Sequence, residues 1–80
     1  MDFTLEVRVE LKRGALDAEG ETIAKSLKLL GFPVSKVDSI KLYRVVVEAK
    51  SREEAVKRMN DAASRLLANP VIQEYSISVV

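Results

Sequence analysis

Asp2-Phe3-Thr4-Leu5-Glu6-Val7-Arg8-Val9-Glu10-Leu11-Lys12 alternates polar and apolar residues without a break. Side chains point to opposite faces at successive positions of a β-strand. This stretch therefore predicts a strand with Phe3, Leu5, Val7, Val9 and Leu11 buried on one face and charge on the other. Gly14 ends the run. Asp17 is a good N-cap for a helix, and Glu19 and Glu21 fall in its first turn, where the dipole favours acids. Ile23, Ala24, Leu27 and Leu30 follow at helical spacing. Gly31 suits the left-handed position after a helix and Pro33 blocks continuation, so the first helix spans about 18–30.

Residues 34–50 read as extended. Tyr43, Val45, Val47 and Ala49 share one face, and Leu42 and Val46 share the other, with Arg44 between them. A strand apolar on both faces is a central strand or one covered by a partner. Asp38–Ser39 is a weak turn signal, which leaves two strands or one bent strand over 34–50. Ser51-Arg52-Glu53-Glu54 matches the capping box of a second helix. Ala55, Val56, Met59, Ala62, Ala63 and Leu66 form its apolar stripe, and Pro70 ends it near Ala68. Tyr75, Ile77 and Val79 alternate with polar residues in a last strand over 71–80. The expected fold is a two-layer α+β domain spanning 1–80, in the order βαβ(β)αβ. Its sheet is mostly antiparallel, with two helices on one face.

Eighty residues make one domain, and at 48% hydrophobic content a core is feasible but small. Domains of this size often gain stability by oligomerising. Thirteen basic and twelve acidic residues leave a net charge of +1, which gives no pull towards nucleic acid or an anionic membrane. The aromatics Phe3, Phe32, Tyr43 and Tyr75 do not form the exposed strand motif that stacks on bases. The N-terminus lacks the basic and apolar regions of a signal peptide, and no apolar run is long enough to span a bilayer, so the cytoplasm is the expected location.

The chain has no His and no Cys. The commonest catalytic base, the most reactive nucleophile and the usual zinc and iron–sulfur ligands are therefore missing, and neither a metal nor a cofactor is expected. Glu53 and Glu54 are adjacent on a helix and point apart; capping explains Glu54. The loop Lys12-Arg13-Gly14-Ala15-Leu16-Asp17 leads into a helix N-terminus but contains one glycine and no phosphate-loop pattern, so a β-α turn is the better reading. The chain is not expected to be catalytic alone. A free-standing ferredoxin-like domain that binds a small-molecule effector is the alternative that this element order allows.

Two segments sharpen this. Leu11-Lys12-Arg13-Gly14-Ala15-Leu16-Asp17-Ala18-Glu19-Gly20 and Leu66-Leu67-Ala68-Asn69-Pro70-Val71-Ile72-Gln73-Glu74-Tyr75, with Leu30-Gly31-Phe32 between them, resemble the PurS family. PurS is the small subunit of phosphoribosylformylglycinamidine (FGAM) synthase in purine biosynthesis. The resemblance covers the whole chain. Ala15 and Ala18 stand where the family usually has Val and Pro, and Ile40-Lys41 where a Gly-Lys pair is common.

The resemblance implies a subunit without catalysis of its own. It would bridge a glutaminase subunit and a large ATP-dependent synthetase subunit and assist ammonia transfer between them, as a dimer or tetramer. Lys12, Arg13, Asp17, Asn69 and Tyr75 are then candidate interface residues, because they are polar and lie near element ends. Leu42 and Val46 join them as an apolar second face that a partner chain or the chain's own terminus would cover. Gly14, Gly31 and Pro70 are expected to be structural turn and helix-end residues, and Leu16, Leu66 and Ile72 are expected in the core.

Overall fold

The computed structural model describes all eighty residues. Strand β1, Asp2–Leu11, occupies the centre of a three-stranded antiparallel sheet of order β2-β1-β3, with β2 at Lys41–Glu48 and β3 at Gln73–Val79. The two central apolar residues of β1 meet half-buried apolar or aromatic neighbours on both sides. Leu5 lies between Val45 and Val79, and Val7 between Tyr43 and Ile77. This face carries the core, in which Leu5, Val7 and Val9 are buried.

Helix α2, Arg52–Ala62, covers that face through Ala55 and Met59. The Ser51 hydroxyl accepts the Glu54 N–H at 3.2 Å, as the capping box requires. The return bond differs: the Glu54 carboxylate accepts the N–H of Lys50 at 3.4 Å, not that of Ser51.

After Ala62 the helix widens into a π-helix over Ala63–Leu67, where the Ala68 N–H bonds the Ala63 carbonyl at 2.9 Å. One extra residue per turn shifts the apolar stripe by one position. Leu67 packs on the core, whereas Leu66 is 83% exposed, contrary to the expectation from uninterrupted α-helical spacing. Deleting Ser64 should convert this turn to α-helix and leave Leu67 facing inward, so thermal unfolding should stay cooperative and near the wild-type midpoint. Deleting Lys57 rotates everything after it by about 100° and should abolish cooperative melting. Equal melting of the two variants would contradict this register.

The α+β class and the antiparallel sheet hold, with the element order β-α-β-α-β. No additional strand forms before β2. Residues 32–40 run as irregular loop, with the Phe32 N–H bonded to the Leu27 carbonyl and the Ser39 N–H to the Asp17 carboxylate. Strand β2 is an edge strand, not a central one, so its two apolar faces do not reflect burial between neighbouring strands.

Helix α1, Ala18–Leu29, does not share the face that α2 covers. It belongs to an arm formed by residues 12–40, which leaves the sheet at Leu11 and returns at Lys41 beside Val9. The arm gives the chain a radius of gyration of 16.0 Å. A compact domain of this length would have about 12 Å. Within α1 only Gly20 is buried, and Ile23, Leu29 and Leu30 are exposed. The helix ends as its sequence predicts. Gly31 takes a φ of 93°, and the N–H groups of Gly31 and Phe32 bond the Lys28 and Leu27 carbonyls, which is the Schellman arrangement.

Candidate functional site

The two sequence segments singled out above meet at the end of the sheet where the arm departs. Leu11 pairs with Gln73, and the next residue continues the tie: the Lys12 N–H donates to the Ile72 carbonyl at 2.8 Å. The Lys12 ammonium reaches the Pro70 carbonyl at 2.7 Å. Asn69 shapes the turn it joins. Its side-chain oxygen accepts the Val71 N–H at 3.0 Å, its carbonyl accepts the Gln73 N–H at 2.7 Å, and its own N–H donates to the Gln73 side chain at 2.7 Å. Pro70 supplies no N–H and fixes its φ, which suits the second position of such a turn. Gly14, with a φ of 88°, turns the chain out of β1.

Asp17 closes the base of the arm. One carboxylate oxygen accepts the Gly20 N–H at 2.8 Å, as an N-cap does, and the Ser39 hydroxyl at 2.7 Å. The other accepts the Ser39 N–H at 2.6 Å. The helix start is thereby fastened to the returning chain 22 residues later. The Ser39 N–H contributes most to lowering the Asp17 pKa below the ordinary carboxylate value, followed by the Gly20 N–H and the Ser39 hydroxyl. A depressed folded-state pKa means that the clamp's stabilisation is complete above the ordinary carboxylate pKa and is lost as pH falls through the lowered one. Asp17→Asn should therefore flatten the acid limb of the pH–stability curve. An unchanged acid limb would show that the clamp contributes nothing.

Gly20 permits this closure, which sequence reading did not assign to it. A Cβ there would run into the Val37 carbonyl and the Asp17 carboxylate, so the returning loop crosses the helix only over a glycine. The sequence signal for Gly20 is its place at the end of the family-like segment Leu11–Gly20.

Within the arm, between α1 and the two connecting segments at 12–17 and 35–40, lies a cleft of about 840 Å³, lined by Arg13, Lys25 and Lys28 and by Glu21 and Asp38 among others. Arg13 makes no ion pair within the chain. Tyr75 sits apart from this corner, half-buried over the core, with its hydroxyl donating to the Asn60 carbonyl at 3.2 Å. Leu16 and Ile72, expected in the core, are 73% and 44% exposed, because the arm and the Asn69 turn carry them off the sheet. Leu42 and Val46 are 59% and 62% exposed on the face opposite α2, and the chain's own terminus does not cover them. No group of three or more His, Cys, Asp or Glu residues is arranged to hold a metal ion.

A family model described as PurS, phosphoribosylformylglycinamidine (FGAM) synthase, matches residues 4–80. The chain belongs to the PurS family. The PurS subunit of FGAM synthase from Archaeoglobus fulgidus is 52% identical over 73 residues, covering 90% of this chain and 91% of that protein. The crystal structure of Methanocaldococcus jannaschii PurS, one of the subunits of formylglycinamide ribonucleotide amidotransferase, superposes with a TM-score of 0.87 at 34% identity, covering 98% of this chain and 95% of that one. A chain in the PurLQS structure from Thermotoga maritima superposes with a TM-score of 0.91 at 32% identity, covering 100% of this chain and 99% of that one. The PurS likeness thus includes the arm and the Asn69 turn as well as the sheet.

Proposed function

We propose that this chain is the small subunit of FGAM synthase in de novo purine biosynthesis. It acts as one unit over residues 1–80, joins the glutaminase and ATP-dependent synthetase subunits, and assists ammonia transfer between them. The observation that carries this reading is the end-to-end likeness to a chain of the Thermotoga maritima PurLQS structure. The chain itself supports a binding role: four large apolar side chains on α1 and β2, Ile23, Leu29, Leu42 and Val46, are exposed, against two that are fully buried, Leu5 and Val7. The Lys12, Asp17 and Asn69 bonds hold the arm and the turn in one geometry, so the loops that carry Arg13, Leu16 and Ile72 are presented on a fixed frame.

Self-association as a dimer or tetramer completes the reading. The arm offers the uncovered apolar residues Ile23, Leu29 and Leu30, and β2 offers a free strand edge. A second copy of the chain would bury both. The working location is the cytoplasm, where such a biosynthetic complex meets its soluble substrates; no helix is long and apolar enough to cross a membrane. A free-standing effector-binding domain is not favoured by any feature of the fold. Co-elution of the chain with the glutaminase and synthetase subunits on size exclusion tests the proposal. Elution of all three as separate species under turnover conditions would refute it.

A further inference from the structure

The sheet face opposite α2 carries an unusual charge arrangement. The registers place Asp2 directly across from Glu48, and Glu10 directly across from Glu74. Like charges in opposed positions repel and lower sheet stability. Neither pair is relieved within the chain, since none of these four carboxylates takes part in an ion pair. Glu6, by contrast, is neutralised by Arg44, whose Nε and Nη2 both donate to one oxygen at 3.0 and 2.8 Å. Arg8 is the other cation that the strand pairing puts on this face. Between the two acidic pairs lie the exposed apolar side chains of Leu42 and Val46.

We infer that this open sheet face is the docking surface for an enzyme subunit of the complex, through a partner surface that is apolar at its centre and basic at its rim. The inference rests on the functional reading above and assigns it a face. Charge selects the occupant. A second copy packed face to face would bring the same excess of carboxylates against this one, and like-charge juxtaposition is costly. A basic partner would relieve both acidic pairs and cover Leu42 and Val46. Self-association is then left to the arm and the β2 edge, so the two kinds of contact occupy different surfaces.

The test uses the full chain and the separately purified synthetase and glutaminase subunits. Affinity is measured by calorimetry at several salt concentrations, and oligomeric state by sedimentation. Leu42→Asp/Val46→Asp should weaken binding to one subunit by about tenfold or more while the oligomeric state stays as in wild type. Glu10→Gln/Glu74→Gln should weaken binding less and flatten its salt dependence. That variant should also melt no lower than wild type, because it removes a repulsion. Wild-type affinity in both variants would overturn the inference while leaving the functional reading intact. Loss of self-association in Leu42→Asp/Val46→Asp, with enzyme binding retained, would assign the face to a second copy and also overturn it. Absence of any binding by the wild-type chain would overturn the functional reading and this inference together.

Discussion

Leu5→Ala is expected to destabilise the sheet by about 3 kcal/mol. Leu5 is fully buried on the central strand and contacts both neighbours, through Val45 on β2 and Val79 on β3. Truncation removes the transfer free energy of the lost carbons and leaves a cavity. The backbone cannot collapse to fill it, because β1 is hydrogen-bonded on both edges. The loss is severe here since Leu5 and Val7 are the only large side chains fully buried in the chain. A domain of this size has a total stability of about 4–12 kcal/mol, so a quarter or more of it would be lost. Urea unfolding at fixed protein concentration reads this directly. A midpoint within error of wild type would mean that the core lies elsewhere.

Gly20→Val should act on the arm and spare the sheet. The added Cβ meets a backbone carbonyl, that of Val37, which cannot rotate away as a flexible side chain would. The returning loop must lift from α1, and Asp17 then loses its Ser39 partner. Overpacking of this kind costs about 1–3 kcal/mol. Because α1 buries no other residue, that loss should open the arm locally without unfolding the body. Hydrogen exchange should accelerate through 18–40 and stay unchanged in β1 and β3. Uniform protection across the arm would show that the loop has room for a side chain. The same variant should also weaken self-association, since the uncovered face of α1 would no longer be held in place.

Much of this was legible in the sequence, and the reasons differ by element. The alternation of Asp2–Lys12 specifies which face of β1 is buried, since a one-residue slip would bury its charges. Asp17 as an N-cap and Gly31 as a terminator are local chemistry and hold as read. What Asp17 does with its second oxygen depends on Ser39, and no local rule links positions so far apart. Leu66 and Leu67 were exchanged because a 3.6-residue period assumes continuous α-helix, and a π-helical turn leaves no sequence mark of its own. Leu42 and Val46 pointed to two burials, a central strand or a partner; only the strand order excludes the first. The opposed acidic pairs were likewise hidden, since like charges become neighbours only once the register is known.

The chain's role is tested most directly by FGAM formation in the reconstituted enzyme. The synthetase and glutaminase subunits are assayed with and without this chain, once with glutamine and once with ammonium as the nitrogen source. If the chain joins the two enzymes and assists ammonia transfer, omitting it should cut glutamine-dependent turnover by at least about tenfold, equivalent to some 1.4 kcal/mol in effective barrier. Ammonium-dependent turnover should persist in its absence. Glutamine-dependent turnover unchanged by omission of the chain would contradict the account.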